Sequence, residues 1–167
     1  MERERAAYAE SGHIVDQRRM TGQRYGLRTS DVNGCGWIAT YNFLRSMGSR
    51  VQPGSVADAL SRYSLFRGLL GTSPFRIHRY LRRHGYALIN AFGTKKAADQ
   101  AADARAGILL YRHSGGWHFV AFVRADDTQM HFYNAIAGAP NHVETMESFL
   151  KRQNLAKFVW LMYLPED

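Results

Sequence analysis

The sequence predicts one α+β domain, in which a helical first half packs on an antiparallel β-sheet formed by the second half. The first observation is composition. Hydrophobic residues make up 46% of the 167 residues and aromatic residues 13%, which is enough to form the core of one domain. The second is a change of period near Gly107, where helical spacing of apolar residues gives way to β-branched and aromatic runs.

Four helices are predicted in the first half from apolar spacing and terminal residues. In the first of them, Trp37, Tyr41 and Leu44 lie on one helical face, and a glycine follows as the C-terminal cap. The third begins with a Ser-Pro pair, which is typical of a helix start. The predicted helices span 35–47, 55–63 and 74–84, a fourth begins near 94, and a strand at 86–90 precedes the fourth.

The second half is predicted to be mainly strands, at 107–112, 117–124, 129–134 and 157–164. The separators after the first two strands are short and rich in Gly, Ser and Asp. They predict that the first three strands form an antiparallel meander. A helix at 143–153 is predicted to precede the last strand.

Residues 1–24 differ from the rest of the chain, because they are polar, arginine-rich and only weakly periodic. They are predicted to form an arm or a loosely docked helix, followed by a single domain at 25–167. Charges stand where a secretory signal needs an apolar run, and no stretch approaches the ~20 apolar residues that span a bilayer. These features predict a cytoplasmic protein without a membrane span, and export by another route stays open.

The formal net charge of +8 favours acidic partners. The densest basic cluster lies in the predicted helix 74–84, where Arg76, Arg79, Arg82 and Arg83 stand opposite its apolar residues. This pattern is typical of a solvated helix face. No nucleic-acid-binding motif accompanies the cluster, so the predicted partner is an acidic protein surface rather than nucleic acid.

Cys35 is the only cysteine, and it stands between two glycines where a helix is predicted to begin. The first turn of a helix has unpaired N–H groups and the positive end of the helix dipole. Both lower the pKa of a thiol, and the N–H groups can stabilise an oxyanion. Gly34 and Gly36 would let a substrate carbonyl approach without meeting a Cβ atom. The pattern is typical of a nucleophile; the alternative is an incidental cysteine in a glycine-rich turn.

His118 is the predicted base among the seven histidines. It opens the strand 117–124 directly after two glycines, and Asn134 ends the next strand. An amide at that position can orient an imidazole. His131 in the neighbouring strand is the competing candidate, and a packed or solvated role for either histidine is the structural alternative.

Three stretches in this order resemble the papain-like cysteine peptidases, nearest to the branch of double-glycine leader peptidases: N-G-C-G-W-I-A-T-Y-N at 33–42, G-G-W-H-F-V-A-F at 115–122 and H-F-Y-N-A at 131–135. The resemblance implies a papain-like fold with the nucleophile on the central helix. It makes Cys35 the nucleophile, His118 the base and Asn134 the orienting residue. The family's oxyanion glutamine is missing at Thr29, which leaves Asn33 and Gln23 as the oxyanion candidates.

The predicted function is therefore a thiol-dependent hydrolase that cleaves a peptide or isopeptide-type amide in a peptide or protein substrate. Two alternatives stay open: acyl transfer or deamidation by the same three residues, as in transglutaminase-like enzymes, and a non-catalytic basic binding domain of the same fold. No metal or cofactor is predicted. One cysteine without an H-E-x-x-H pattern makes a weak metal site, and no phosphate-binding glycine loop is present.

The catalytic hypothesis also predicts a register for the two central strands. Facing residues of an antiparallel pair have position numbers with a constant sum, and facing side chains share one side of the sheet. His118 and Asn134 face each other directly only if that sum is 252, which leaves a three-residue loop at 125–127. A sum of 253 would put them on opposite sides.

Overall fold

An antiparallel six-stranded sheet organises the molecule in the computed structural model, which describes residues 5–62, 71–135, 141–153 and 158–166. Neighbouring strands follow the order β3-β8-β4-β5-β6-β7. A small hairpin, β1 (Arg24–Tyr25) with β2 (Arg28–Thr29), lies outside this sheet. The strands of the large sheet are β3 (Ile89–Phe92), β4 (Ala104–His113), β5 (Gly116–Arg124), β6 (Met130–Tyr133), β7 (Asn141–Glu144) and β8 (Trp160–Pro165).

Six α-helices are present in the described part of the chain, so the fold is mixed α+β as predicted. The four helices predicted before the sheet are confirmed within a few residues, and a four-residue helix precedes the first of them. The helices are α1 (Ser30–Asn33), α2 (Cys35–Ser46), α3 (Pro53–Ser61), α4 (Pro74–Arg83), α5 (Thr94–Ala101) and α6 (Met146–Gln153).

Helices cover both faces of the sheet, because alternate residues of each central strand point to opposite sides. On one face Ile108 and Phe119 join the buried side of α2, including Trp37, in one apolar cluster with α3 and α4. On the other face Val120 and Phe122 pack in a second cluster with α5 and α6. The predicted packing of a helical half on the sheet is therefore confirmed for α2 to α4, and a second helical layer is added.

Two predicted elements are wrong at their boundaries. The strand predicted at 86–90 is β3, Ile89–Phe92, and the helix predicted at 143–153 is shorter, Met146–Gln153. Strand β7 comes directly before that helix and pairs with β6. Its sequence, Asn-His-Val-Glu, has only one β-branched residue, so pairing with a neighbouring strand decides its conformation rather than local propensity.

The predicted register of β5 and β6 is wrong by two positions. Ala121 faces Tyr133 and Arg124 faces Met130, which gives a sum of 254 and a five-residue loop at 125–129. The Asp126 carboxylate holds this loop by accepting hydrogen bonds from the backbone N–H groups of Thr128 (2.9 Å) and Gln129 (2.8 Å). With a sum of 254, position 118 would face position 136, which is two residues from 134. Positions 118 and 134 are therefore on the same side of the sheet, as diagonal rather than direct neighbours.

The N-terminal segment is anchored to α2 by buried polar contacts. The Asn42 side chain accepts from the Ile14 N–H at 2.8 Å and donates to the Ile14 carbonyl at 2.7 Å. The Tyr41 hydroxyl donates to the Gly12 carbonyl at 2.9 Å, and Ile14 itself is fully buried. This part of the region predicted as an arm or loose helix therefore contributes to the core. None of the described helices is long and apolar enough to cross a membrane.

Replacing Asn42 with Ala should destabilise the protein by about 3 kcal/mol, because two buried backbone groups of Ile14 lose their partners. Urea unfolding monitored by tryptophan fluorescence measures the change. Gln129→Ala, at an exposed loop position, is the control and should stay within about 0.5 kcal/mol of wild type. Equal stability of the two variants would contradict the anchoring role of Asn42.

Candidate functional site

Cys35 begins helix α2 and lines a cavity of about 430 Å³. As a residue it is half-buried. Most of the lining side chains are apolar. The lining residues are Val32, Asn33, Cys35, Gly71, Thr72, Pro74, Leu110, Trp117, Phe119 and Phe158. A thiol at the wall of an apolar cavity of this size has the setting of a small-molecule or side-chain binding site.

Burial raises the pKa of the Cys35 thiol. The nearby backbone N–H groups of Phe119, Gly36 and Cys35 itself favour the thiolate and oppose this effect, but burial is larger. The prediction that the helix start lowers this pKa is therefore wrong for the resting structure. The start of α2 is also not a free helix end, because α1 precedes it directly and the Gly34 N–H is bound to the Ser30 carbonyl at 2.8 Å.

The two glycines beside Cys35 are required by packing. A Cβ on Gly34 would lie 2.4 Å from the Ser30 carbonyl oxygen, next to the hydrogen bond from Trp37 Nε1 to Ser30 Oγ (3.0 Å). A Cβ on Gly36 would lie 2.4 Å from the Thr72 side chain. Close packing around the start of α2 therefore explains why both positions are glycine. The approach of a substrate carbonyl, which the sequence analysis gave as the reason, is not needed to explain them.

A pair of buried hydroxyls stands behind the thiol. Thr72 Oγ1 and the Tyr25 hydroxyl lie 2.6 Å apart, and burial raises the pKa of Tyr25 to about 12. Both hydroxyls therefore remain neutral near pH 7. Sequence reasoning missed this pair, because the contact joins β1 to a residue 47 positions later and no motif marks it.

His118 is buried and has one defined hydrogen bond. Its Nε2 lies 2.7 Å from the backbone carbonyl oxygen of Asn134. A carbonyl oxygen only accepts, so Nε2 carries the hydrogen and the neutral ring keeps its lone pair on Nδ1. Burial lowers the pKa of His118 to about 4, with the hydrogen bond to Asn134 opposing it. The ring is therefore a neutral base of known tautomer.

In the structure the predicted nucleophile lies beside the strand that carries the predicted base, but no hydrogen bond joins the two side chains. Cys35 lines the cavity together with Phe119, the residue after His118. The His118 ring lies edge-on to Tyr111, with centroids 5.7 Å apart, on the side of the sheet that faces α6. Among the hydrogen bonds of the described residues, none links the Cys35 sulfur to the His118 ring.

Asn134 contacts His118 through its main chain, contrary to the predicted side-chain contact. Its side chain is bound to Gln17 instead: Oδ1 accepts from the Gln17 N–H at 2.9 Å, and Nδ2 donates to Gln17 Oε1 at 3.2 Å. Sequence reasoning missed Gln17, because the contact spans 117 positions and Gln17 lies in a segment with little periodicity.

The two predicted oxyanion candidates lie in different places. Asn33 lines the cavity together with Cys35. The Gln23 side chain donates instead to the Arg24 carbonyl at 3.2 Å. The competing base, His131, hydrogen-bonds Asn141 and stacks on Tyr133 with centroids 4.4 Å apart. The cavity therefore contains one of the two oxyanion candidates.

Among the described residues, no group of three His, Cys, Asp or Glu side chains is arranged to hold a metal ion. Comparison with protein-family models and with curated protein sequences found no match. The assignment of function therefore rests on the geometry of this site.

Replacing Gly36 with Ala should destabilise the protein by about 1–3 kcal/mol, because the new methyl group overlaps Thr72. Gly54→Ala is the matched control. Gly54 also lies in a helix, its Cβ would meet nothing within 4 Å, and the change should stabilise by up to about 1 kcal/mol. Denaturant unfolding compares the two, and a stabilised Gly36→Ala variant would refute the tight packing at Thr72.

Stability should fall as the pH drops from 6.5 to 4, because His13 and His118 both have folded-state pKa values lowered to about 4, chiefly by burial. The unfolded chain then binds more protons than the folded one, so each histidine adds a slope of up to about 1.4 kcal/mol per pH unit. His118→Asn and His13→Asn should each flatten the measured profile.

The exposed Gln129 provides the control for this measurement. Gln129→Ala removes no titratable group and should leave the slope between pH 4 and 6.5 unchanged, whatever its effect on absolute stability. Identical slopes in all three variants would show that His13 and His118 are not the groups that take up protons on unfolding.

Proposed function

We propose that this protein is a thiol-dependent hydrolase of papain-like fold, which forms an acyl-enzyme at Cys35. The observation that carries the proposal is that Cys35 lines the apolar cavity together with Phe119, the residue that follows His118. Cys35 therefore lies beside the strand that carries His118, a buried base whose lone pair is on Nδ1.

The resting pair is neutral, since burial raises the pKa of the thiol and lowers the pKa of the imidazole. Attack therefore couples sulfur–carbonyl bond formation to transfer of the thiol proton to His118 Nδ1. The two side chains lie on opposite faces of the sheet, because Trp117 and Phe119 line the cavity whereas the His118 ring packs on Tyr111 on the side of α6. In the proposed complex, the backbone at the start of β5 therefore rearranges on substrate binding and brings the imidazole within hydrogen-bond distance of the sulfur. The Asn134 carbonyl then accepts from Nε2–H and stabilises the imidazolium.

The tetrahedral intermediate carries a negative oxygen next to the start of α2. Asn33 lines the same cavity, and its amide group is the candidate donor to this oxyanion, together with backbone N–H groups at the helix start. Collapse of the intermediate breaks the carbon–nitrogen bond, and His118 returns the proton to the leaving amine. Water, deprotonated by His118, then attacks the thioester and releases the acid and the free thiol.

The cavity walls indicate a substrate with an apolar group beside the reacting carbonyl. Trp117 and Phe158 stand at the rim with exposed fractions of 49% and 43%, and their rings lie 5.8 Å apart. Exposed aromatic side chains beside a cavity are typical of a binding surface. The proposed substrate is a peptide or protein amide carrying an apolar side chain at this position.

The test uses p-nitrophenyl acetate as an activated acyl donor. Wild type should release nitrophenolate in a burst of one equivalent, with an acetyl group on Cys35 detected by intact-protein mass spectrometry, and then turn over steadily. His118→Gln should slow acylation on the order of 10²-fold or more, since general base catalysis contributes that much. Cys35→Ala should abolish the burst.

His113→Gln is the matched control, because the His113 ring lies 6.0 Å from that of His118 without a proposed role in proton transfer. It should keep nearly the wild-type rate. Added n-butylamine distinguishes the alternatives: formation of the butylamide at the expense of acetate would favour acyl transfer. If wild type and Cys35→Ala react alike, the protein is a binding domain and the proposed hydrolase function is wrong.

A further inference from the structure

Gln17 makes three hydrogen bonds that join the N-terminal segment to the candidate site. Its N–H and its Oε1 bind the Asn134 side chain at 2.9 and 3.2 Å. Its Nε2 donates to the Asp31 carbonyl, in the short helix before Cys35, at 3.1 Å. One side chain thus connects the residue that holds His118 to the helix that leads into the nucleophile.

Asn134 needs this support because of its backbone conformation. It has a φ of 66° and is the only described non-glycine residue with a positive φ. Asparagine tolerates this left-handed conformation better than most residues, but at a cost in energy. The conformation occurs where β6 has just ended, and it accompanies the contact of the Asn134 carbonyl with His118 Nε2 at 2.7 Å.

The segment around Gln17 is itself firmly held. Gln17 opens a turn of 3-10 helix, and the Asp16 side chain caps that turn by accepting from the Arg18 N–H. Upstream, Ile14 is fixed to Asn42 of α2 through both of its backbone groups. The segment that carries Gln17 is therefore also held by contacts that do not involve Asn134.

We infer that Gln17 is a positioning residue: by binding the Asn134 side chain, it keeps the Asn134 carbonyl directed at His118 Nε2, so the docked N-terminal segment completes the site. This role rests on the proposed function of His118 as a base. In this arrangement the Asn134 side chain anchors the residue to Gln17, and the Asn134 main-chain carbonyl orients the imidazole.

The first test compares Gln17→Ala with Gln129→Ala, a glutamine at an exposed loop position. In Gln17→Ala the kcat for p-nitrophenyl acetate should fall on the order of 10- to 100-fold with KM within about twofold, because a misplaced base costs rate rather than binding. Gln17→Glu keeps an acceptor for Asn134 Nδ2 and should recover part of this loss. Gln129→Ala should behave as wild type.

The second test reads the imidazole directly. In wild type, ¹⁵N NMR of the His118 ring should show a single tautomer with hydrogen on Nε2. Gln17→Ala should give a mixture of tautomers or exchange of Nε2–H with solvent, which a purely structural role of Gln17 would not cause. An unchanged His118 spectrum in a folded Gln17→Ala variant would overturn the inference.

A double-mutant cycle with Asn134→Gly completes the experiment. Glycine accepts a positive φ without a side chain to bind, so it removes the Gln17 contact without strain. The double variant should lose no more kcat than the more impaired single variant. Additive losses would contradict the inference. If wild type shows no Cys35-dependent turnover, the proposed function fails, while the tautomer measurement still decides the role of Gln17.

Discussion

The close approach of helix α2 to strand β5 is the contact on which the rest of the structure depends. Trp37 and Phe119 lie in the same buried cluster, and the start of the helix leaves no room for a Cβ at Gly36 beside Thr72. Because the helix lies so near the sheet, Cys35 packs against the cluster that contains Phe119 of β5 and lines the cavity beside it. The cavity is the space left where the helix begins, between the strand and the loop that leads into α4.

This close packing also determines the electrostatics of the site. Removing a thiol and an imidazole from water favours the neutral form of each, and the pKa values of Cys35 and His118 move apart accordingly. A thiolate–imidazolium pair is therefore not the resting state of the described structure. In the proposed mechanism, the imidazolium forms only as the carbonyl oxygen of the substrate develops its negative charge.

Local sequence signals predicted the parts of the fold that local chemistry decides. The spacing of Trp37, Tyr41 and Leu44 located α2, and the Ser-Pro pair located α4, because apolar periodicity and helix caps act within one or two turns. Strand β7 was missed since its residues form a strand only by pairing with β6. The register of β5 and β6 was predicted wrongly because the expected loop between these strands was too short. The Asp126 side chain holds a five-residue loop by accepting from the N–H groups of Thr128 and Gln129.

In the candidate site, the sequence predicted that Cys35 begins a helix and that His118 lies beside Asn134, but His118 contacts the main chain of Asn134 and not its side chain. Whether a residue acts through its side chain or its carbonyl depends on φ at that position and on what else binds the side chain. Here Asn134 has a positive φ, and its side chain is bound by Gln17, which is distant in sequence and carries no motif.

The Gln17–Asn134 contact closes a loop of 117 positions, and this has a consequence for how the molecule reaches its native state. Helices and hairpins form quickly from neighbouring residues, whereas contacts between distant parts of a chain must first overcome the entropy of loop closure. During synthesis, the N-terminal segment emerges long before the strand it is to brace. The thiol can therefore be buried beside β5 only once the chain includes that strand, and the imidazole can be held by the Asn134 carbonyl only once the chain extends beyond β6. A truncated or half-folded molecule would carry the cysteine but not the arrangement around it.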